Sequence, residues 1–234
     1  MITFTAQSKI RDIVIQFPKA SDYFKTHKID FCCGGNKPLE EVAKQHGLDV
    51  NDLLRDIQHL QMKNVENRSG TPDPAHLSST DLIDLIVDKH HAYLREELPQ
   101  LDTYVTKVFH VHGKNHVHLQ EVFRLFRALR TELEQHTLKE ETISFPQIQA
   151  YENKPSEESR NLLADTIREL EKEHDEAGHL LKEIRRVTSD FTLPEGACTT
   201  YQITYHRLEE LESMTFEHVH LENNILFPRY TEYR

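Results

Sequence analysis

With 234 residues, 37% of them hydrophobic and 29% charged, the chain is long enough to bury a substantial core without help from disulfides. Seven Gly, nine Pro and no Trp suit a helical protein better than a turn-rich β-sandwich. The net charge of -11 argues against general nucleic-acid binding, which needs a basic face for phosphates.

Three cysteines, two of them adjacent at Cys32 and Cys33, make a poor disulfide framework and read as cytosolic thiols. The N-terminus has no apolar stretch of signal-peptide type, and no segment approaches the ~20 apolar residues of a membrane span. The expectation is a cytoplasmic protein with no membrane partner.

Residues 1–63 read as short helices between breakers, a small helical N-terminal domain. Ile10, Ile13, Val14 and Phe17 recur at helical spacing before Pro18, and a second short helix fits ASDYFKTHKI. Pro38 suits a first helical position and Gly47 a helix end, while Asp49 is placed to cap the next helix. Residues 64–79 are polar, carry Gly70, Pro72 and Pro74, and show no apolar period; they read as a linker.

Residues 80–234 hold four long helical patterns, 80–110, 115–145, 155–189 and 198–227. Each is roughly 45 Å long at ~1.5 Å per residue, the proportions of an antiparallel four-helix bundle. Pro99 is expected to kink the first pattern, and Pro146 and Pro228, each in a Phe-Pro dipeptide, to close the second and fourth.

The second and fourth patterns share a repeat, HTLKEETISFP from His136 and HVHLENNILFP from His218. In each, a Glu follows the His by four residues, one helical turn on the same face, so imidazole and carboxylate can reach one metal centre. The apolar stripe of the second pattern runs Val122, Phe126, Leu129, Leu133 and on through His136 and Glu140 to Ile143. That of the fourth runs Leu208, Leu211, Thr215, His218, Glu222 and Ile225. The first pattern adds a His at 90 or 91 to the stripe of Ile83, Val87, Leu94 and Leu98. The third adds His174 between Leu170 and Ala177.

A single core His is usually a hydrogen-bonded packing residue. Buried carboxylates are harder to excuse, because an ionised one without partners costs several kcal/mol. Four His and two Glu converging from four helices therefore point to bound cations, which give the carboxylates partners and keep the imidazoles neutral. Six ligands exceed the roughly four of one zinc site. Two ions with bridging glutamates would use about eight of roughly twelve octahedral positions, leaving room for an oxo or hydroxo bridge and an exogenous molecule. The ligand types admit Fe, Mn, Zn or Cu.

The chain resembles the hemerythrin-like di-iron proteins that repair iron-sulfur clusters after oxidative or nitrosative damage (the RIC family, ScdA/YtfE type). The likeness rests on DFCCGG at 30–35, REELPQL at 95–101, HTLKEE at 136–141, EHDEAG at 173–178, PEGACTTY at 194–201 and HVHLENNILFP at 218–228. It implies terminal ligands at His91, His136, His174 and His218 and bridging carboxylates at Glu140 and Glu222, all holding two Fe ions. It selects His91 over His90. Where oxygen-carrying hemerythrins place a further His, this chain has Gly178, which favours redox chemistry or iron transfer over oxygen storage.

Cys32 and Cys33, before Gly34 and Gly35 and the helix that Pro38 opens, are candidate reactive thiols, since a helix N-terminus stabilises thiolate. The bland alternative is a tight turn with small side chains; in the family the CCGG motif is linked to repair. Cys198 reads as structural. HVHGKNHVH at 110–118 reads as a solvated loop, with His112 as an outer or access residue. His179, His206 and His220 fall off the main stripes.

The resemblance implies repair of damaged iron-sulfur proteins by iron delivery, nitric oxide removal or both. Alternatives are a nitric oxide reductase and a non-catalytic oxygen or nitric oxide sensor. A homodimer is compatible with all three.

Overall fold

The computed structural model describes residues 3–32, 34–66 and 74–231, with the side chains of 63–66 left aside. The fold is all-α; among the described residues no strand forms, and the one β-bridge joins Lys9 to Pro38. Two compact units emerge, Met1–Ser78 with Val219–Arg229, and Ser79–His218 with Tyr230–Arg234.

In the first unit α1 (Ile10–Gln16), α2 (Ala20–Thr26), α3 (Leu39–Gln45) and α4 (Val50–Glu66) follow the expected order. Pro38 stands just outside α3 rather than at its first position. Gly47 ends α3 with φ +67°, a conformation that favours glycine. Asp49 caps α4, its Oδ1 accepting from the Asn51 N–H at 2.7 Å. α4 runs on to Glu66, into the segment expected to be linker, and part of that segment lies outside the described residues. Ile10, Ile13, Phe24, Leu39, Leu53 and Ile57 form the buried interior. α1, α2 and α3, seven residues each, are too short to be stable alone, so burial of these side chains holds the unit together.

The second unit is a helical bundle. Its helices are α5 (Ser79–Leu85), α6 (Ala92–His112), α7 (His118–Lys139), α8 (Phe145–Asn153), α9 (Glu157–Val187) and α10 (Thr199–Leu221). Leu98, Leu101, Phe126, Leu129, Leu181, Tyr205 and Leu211 belong to one core fed by α6, α7, α9 and α10. A capping box of Ser156 and Ser159 opens α9. Arg207 on α10 meets Glu97 on α6 in a bidentate pair at 2.6 and 2.7 Å, and Arg185 on α9 meets Glu212 on α10 at 3.0 Å. Pro99 is accommodated inside α6. No described helix is long and apolar enough to cross a membrane.

Three of the four long patterns are interrupted by a π turn: Ile86–His91, Glu140–Ser144 and Glu222–Leu226. Such a turn inserts one residue and rotates the helix beyond it. It overturns two expectations. Pro146 does not close its helix, since α8 continues to Asn153, whereas the fourth run ends at Leu226 and a separate short α11 (Pro228–Thr231) begins at Pro228. Each Phe-Pro dipeptide marks the exit of a π turn, where the Phe145 and Phe227 N–H groups donate to the carbonyls of Glu140 and Glu222, five residues back. The donor that proline lacks falls where the ladder has already stepped. Ile143, expected in the core, is 46% exposed, and Ser144 and Phe145 are buried in its place.

Candidate metal centre

The π turns position the chemistry. Glu140 and Glu222 are the first residues of theirs, and His91 is the last of the one that precedes α6. That first turn brings both His90 and His91 inward, each almost fully buried. His174 needs no such device, because α9 keeps an unbroken stripe through Leu170, His174, Ala177 and Leu181.

Two groups that can hold a metal ion result: His91, His218, Glu140 and Glu222 in one, His136, His174, Glu140 and Glu222 in the other. Both glutamates are common to the two. Glu222 lies one turn beyond His218 on the same helical run. All six residues expected from the sequence are therefore brought together. His90 joins neither group; its ring stacks on that of His218, with centroids 5.7 Å apart.

One Glu140 oxygen lies 3.3 Å from His91 Nε2, 3.2 Å from His136 Nε2 and 3.6 Å from His218 Nε2. The Nε2 atoms of His136 and His174 stand 2.9 Å apart, and those of His91 and His218 3.3 Å apart. Neither oxygen of the fully buried Glu140 accepts a hydrogen bond. Burial works to raise the pKa of this carboxyl, and in the chain without metal His136, with His218 and His91 behind it, holds it well below the usual range wherever those imidazoles carry the proton. A desolvated carboxylate among imidazole nitrogens fits cation binding: a positive ion supplies the partner that the protein does not.

The sequence reading missed the groups behind the imidazoles. His91 Nδ1 donates to Glu141 at 2.8 Å, and Arg95 donates to the same oxygen at 2.6 Å. His136 Nδ1 donates to Glu173 at 2.8 Å, and Lys139 reaches Glu173 at 2.8 Å and Glu169 at 3.1 Å. The His136 hydrogen bond holds the Glu173 carboxyl at about 2, against the burial that would raise it. A carboxylate on Nδ1 fixes the tautomer that leaves the Nε2 lone pair facing inward. Each group thus has one imidazole oriented by a carboxylate. The spacing offered a signal, since Arg95 and Lys139 sit one turn from His91 and one residue from Glu140.

Cys33 lies outside the described residues. Cys32 is buried, and its backbone N–H and its thiol both donate to Asp30 Oδ1, at 3.0 and 3.1 Å. Within the same unit, Phe31 meets the His220 ring edge-on at 5.6 Å and its carbonyl accepts from Asn224 at 3.4 Å, on the helical segment that carries Glu222. Gly35 is needed there, because a Cβ would fall 2.6 Å from the Phe31 carbonyl oxygen and 2.9 Å from Arg11 Cβ. His220, expected off the stripes, is buried and bonded to Asn224 at 2.9 Å. Cys198, expected to be structural, is exposed. His112 belongs to neither metal group; its Nε2 faces the Cys198 sulfur at 3.2 Å.

The hemerythrin HHE cation binding domain matches residues 82–230, and the ScdA_N domain, described as a domain of unknown function, matches residues 6–61. The iron-sulfur cluster repair protein ScdA of Staphylococcus haemolyticus is 36% identical over 227 residues, 97% of this chain and 99% of that protein. The probable iron-sulfur cluster repair protein of Haemophilus influenzae is 34% identical, covering 96% of each chain. The iron-sulfur cluster repair protein YtfE of Yersinia pseudotuberculosis is 35% identical, covering 93% of each.

Proposed function

The chain belongs to the hemerythrin HHE family, in the branch of the ScdA and YtfE iron-sulfur cluster repair proteins, and from that premise we propose that it is a di-iron protein that restores damaged iron-sulfur clusters. The proposed ligands are His91, His136, His174 and His218, with Glu140 and Glu222 bridging the ions. The proposed organisation is a small N-terminal domain over 1–63, a linker over 64–79 and the di-iron bundle over 80–234. The observation that carries the reading is the pair of buried four-residue groups that share both glutamates.

Bound there, an iron pair with an oxo or hydroxo bridge would supply one-electron redox chemistry and open positions for nitric oxide or oxygen. The residues around it do the rest. Glu141 and Glu173 hold the Nδ1 protons of His91 and His136 and so keep both Nε2 atoms available. Arg95 and Lys139 offset the charge of those two carboxylates. Leu133, Phe145, Leu170 and Ala177 are buried in the same helical runs, and Phe145 stacks on the His91 ring with centroids 5.8 Å apart. Delivery of iron to the damaged cluster, removal of nitric oxide from it, or both would follow in the cytoplasm, with damaged iron-sulfur proteins as partners and Cys32 and Cys33 assisting transfer.

Metal analysis and iron spectroscopy on the anaerobically purified chain, beside His136→Ala and Glu222→Ala, test the reading. Two irons per chain are expected in the wild type, with loss of the coupled pair in both variants. The iron-loaded chain should also restore activity to a dehydratase whose cluster has been damaged by nitric oxide. A wild type purified without iron, or one that leaves the dehydratase inactive, would sink the proposal.

A further inference from the structure

A second cluster of metal-ligating side chains stands apart from the core groups, where α6 ends. The chain turns there through Gly113, at which a Cβ would lie 2.5 Å from the Phe109 carbonyl oxygen and 2.9 Å from the Phe109 ring. Only glycine permits so close an approach. The turn returns the His116 N–H to the His112 carbonyl at 2.9 Å, so the two imidazoles emerge one turn apart. Both rest on Tyr201, His112 stacked at 5.5 Å and His116 edge-on at 5.8 Å between centroids. Tyr201 is fully buried, and its hydroxyl meets His118 Nε2 at 3.1 Å, so the platform is fixed. From a separate element, just before α10, comes the exposed thiol of Cys198, with Sγ 3.2 Å from His112 Nε2.

We propose that Cys198, His112 and His116 form a second metal site, for a borderline-soft cation of the zinc class. One thiolate with two imidazoles is a zinc donor set, and the exposed side leaves the fourth position to water. In the core groups, imidazoles assigned to one ion stand 4.6 and 5.0 Å apart between centroids, whereas His112 and His116 stand 6.3 Å apart. Closure therefore takes a side-chain rotation of the half-buried His116, while His112 and Cys198 are already in contact. Binding exchanges the thiol proton for the cation: the S–H bond breaks, a sulfur–metal bond forms, and the proton passes to solvent.

Neither core group contains sulfur, so a thiolate-to-metal signal reports a cysteine site, and serine variants of the three cysteines show which one. The full-length chain, its core groups already loaded with iron, is titrated anaerobically with Co2+, the spectroscopic stand-in for zinc. One equivalent should raise a near-ultraviolet thiolate-to-cobalt charge-transfer band that Zn2+ then displaces. Cys198→Ser should abolish the band, and the paired Cys32→Ser and Cys33→Ser changes should leave it. His112→Gln should weaken Co2+ binding at least about tenfold, since losing even a ligand's orienting partner generally costs about 10–100-fold. Circular dichroism confirms that each variant keeps its helices. No band in the wild type, a band that survives Cys198→Ser, or unchanged affinity in folded His112→Gln overturns the assignment.

Discussion

Glu173→Gln isolates the contribution of the carboxylate behind His136. The amide oxygen can still accept the Nδ1 proton, so geometry and volume are kept while the negative charge is removed. The bond replaced is a charge-assisted one of 2.8 Å, and Lys139 keeps Glu169 at 3.1 Å as an alternative partner. The Glu173 side chain is about a quarter exposed, and surface pairs of this kind contribute ~0–1 kcal/mol, so folding stability should barely change. Metal affinity should respond more. Loss of an orienting carboxylate costs about 10–100-fold, which is about 1.4–2.7 kcal/mol. His136 belongs to one group and His91 to the other, so the loss should fall on one ion of the two. Chelator competition on the iron-loaded chain should show one ion released more readily and the other close to wild type. Glu141→Gln should give the same split pattern, and the double variant should loosen both ions. Equal loosening of both ions in the single variant, or none in either, would refute the idea that each group has its own oriented imidazole.

The π turn after His136 can be tested by deleting Ile143. Its side chain is largely exposed, and removing one residue restores an α-helical ladder, so helix content should hold while Phe145 and Ile148 rotate by about 100° relative to Glu140. Metal retention should fall severely in a protein that still shows helical circular dichroism; full retention would show that the inserted residue does not set the register of the site. Phe126→Ala, at a fully buried position in the core of the bundle, should lower the unfolding free energy by about 3–5 kcal/mol in urea titrations of the metal-free chain. A loss below about 1 kcal/mol would place that ring outside the cooperative core.

The all-α class, the six residues that gather in the core and the punctuation by Gly47 and Asp49 were legible from the sequence, because residue type and helical spacing are local matters. A 3.6-residue period places His136 and Glu140 on one face, and an Asp before a helix accepts from its first free N–H groups wherever the helix goes. What the period cannot show is its own interruption. Ile143 looks like the next member of its stripe, and only packing reveals that a π turn at Glu140 turns it outward and brings Ser144 and Phe145 in. The same step explains why the Phe-Pro dipeptides, read as stops, are exits from π turns.

Pairings across long separations were likewise closed to the sequence. Glu173 behind His136, Glu141 between His91 and Arg95, and Cys198 against His112 join residues from different helices. Arg95 and Lys139, spaced close to His91 and Glu140, hint at a charge network, but a one-dimensional pattern does not pick its acidic partners out of the many surface charges of an acidic chain. Residue types and helical spacing, properties of the chain alone, determined that this protein gathers imidazoles and carboxylates in a helical core. Tertiary packing decided that the gathering forms two groups with shared glutamates, because only the meeting of four helices sets which lone pairs face one another.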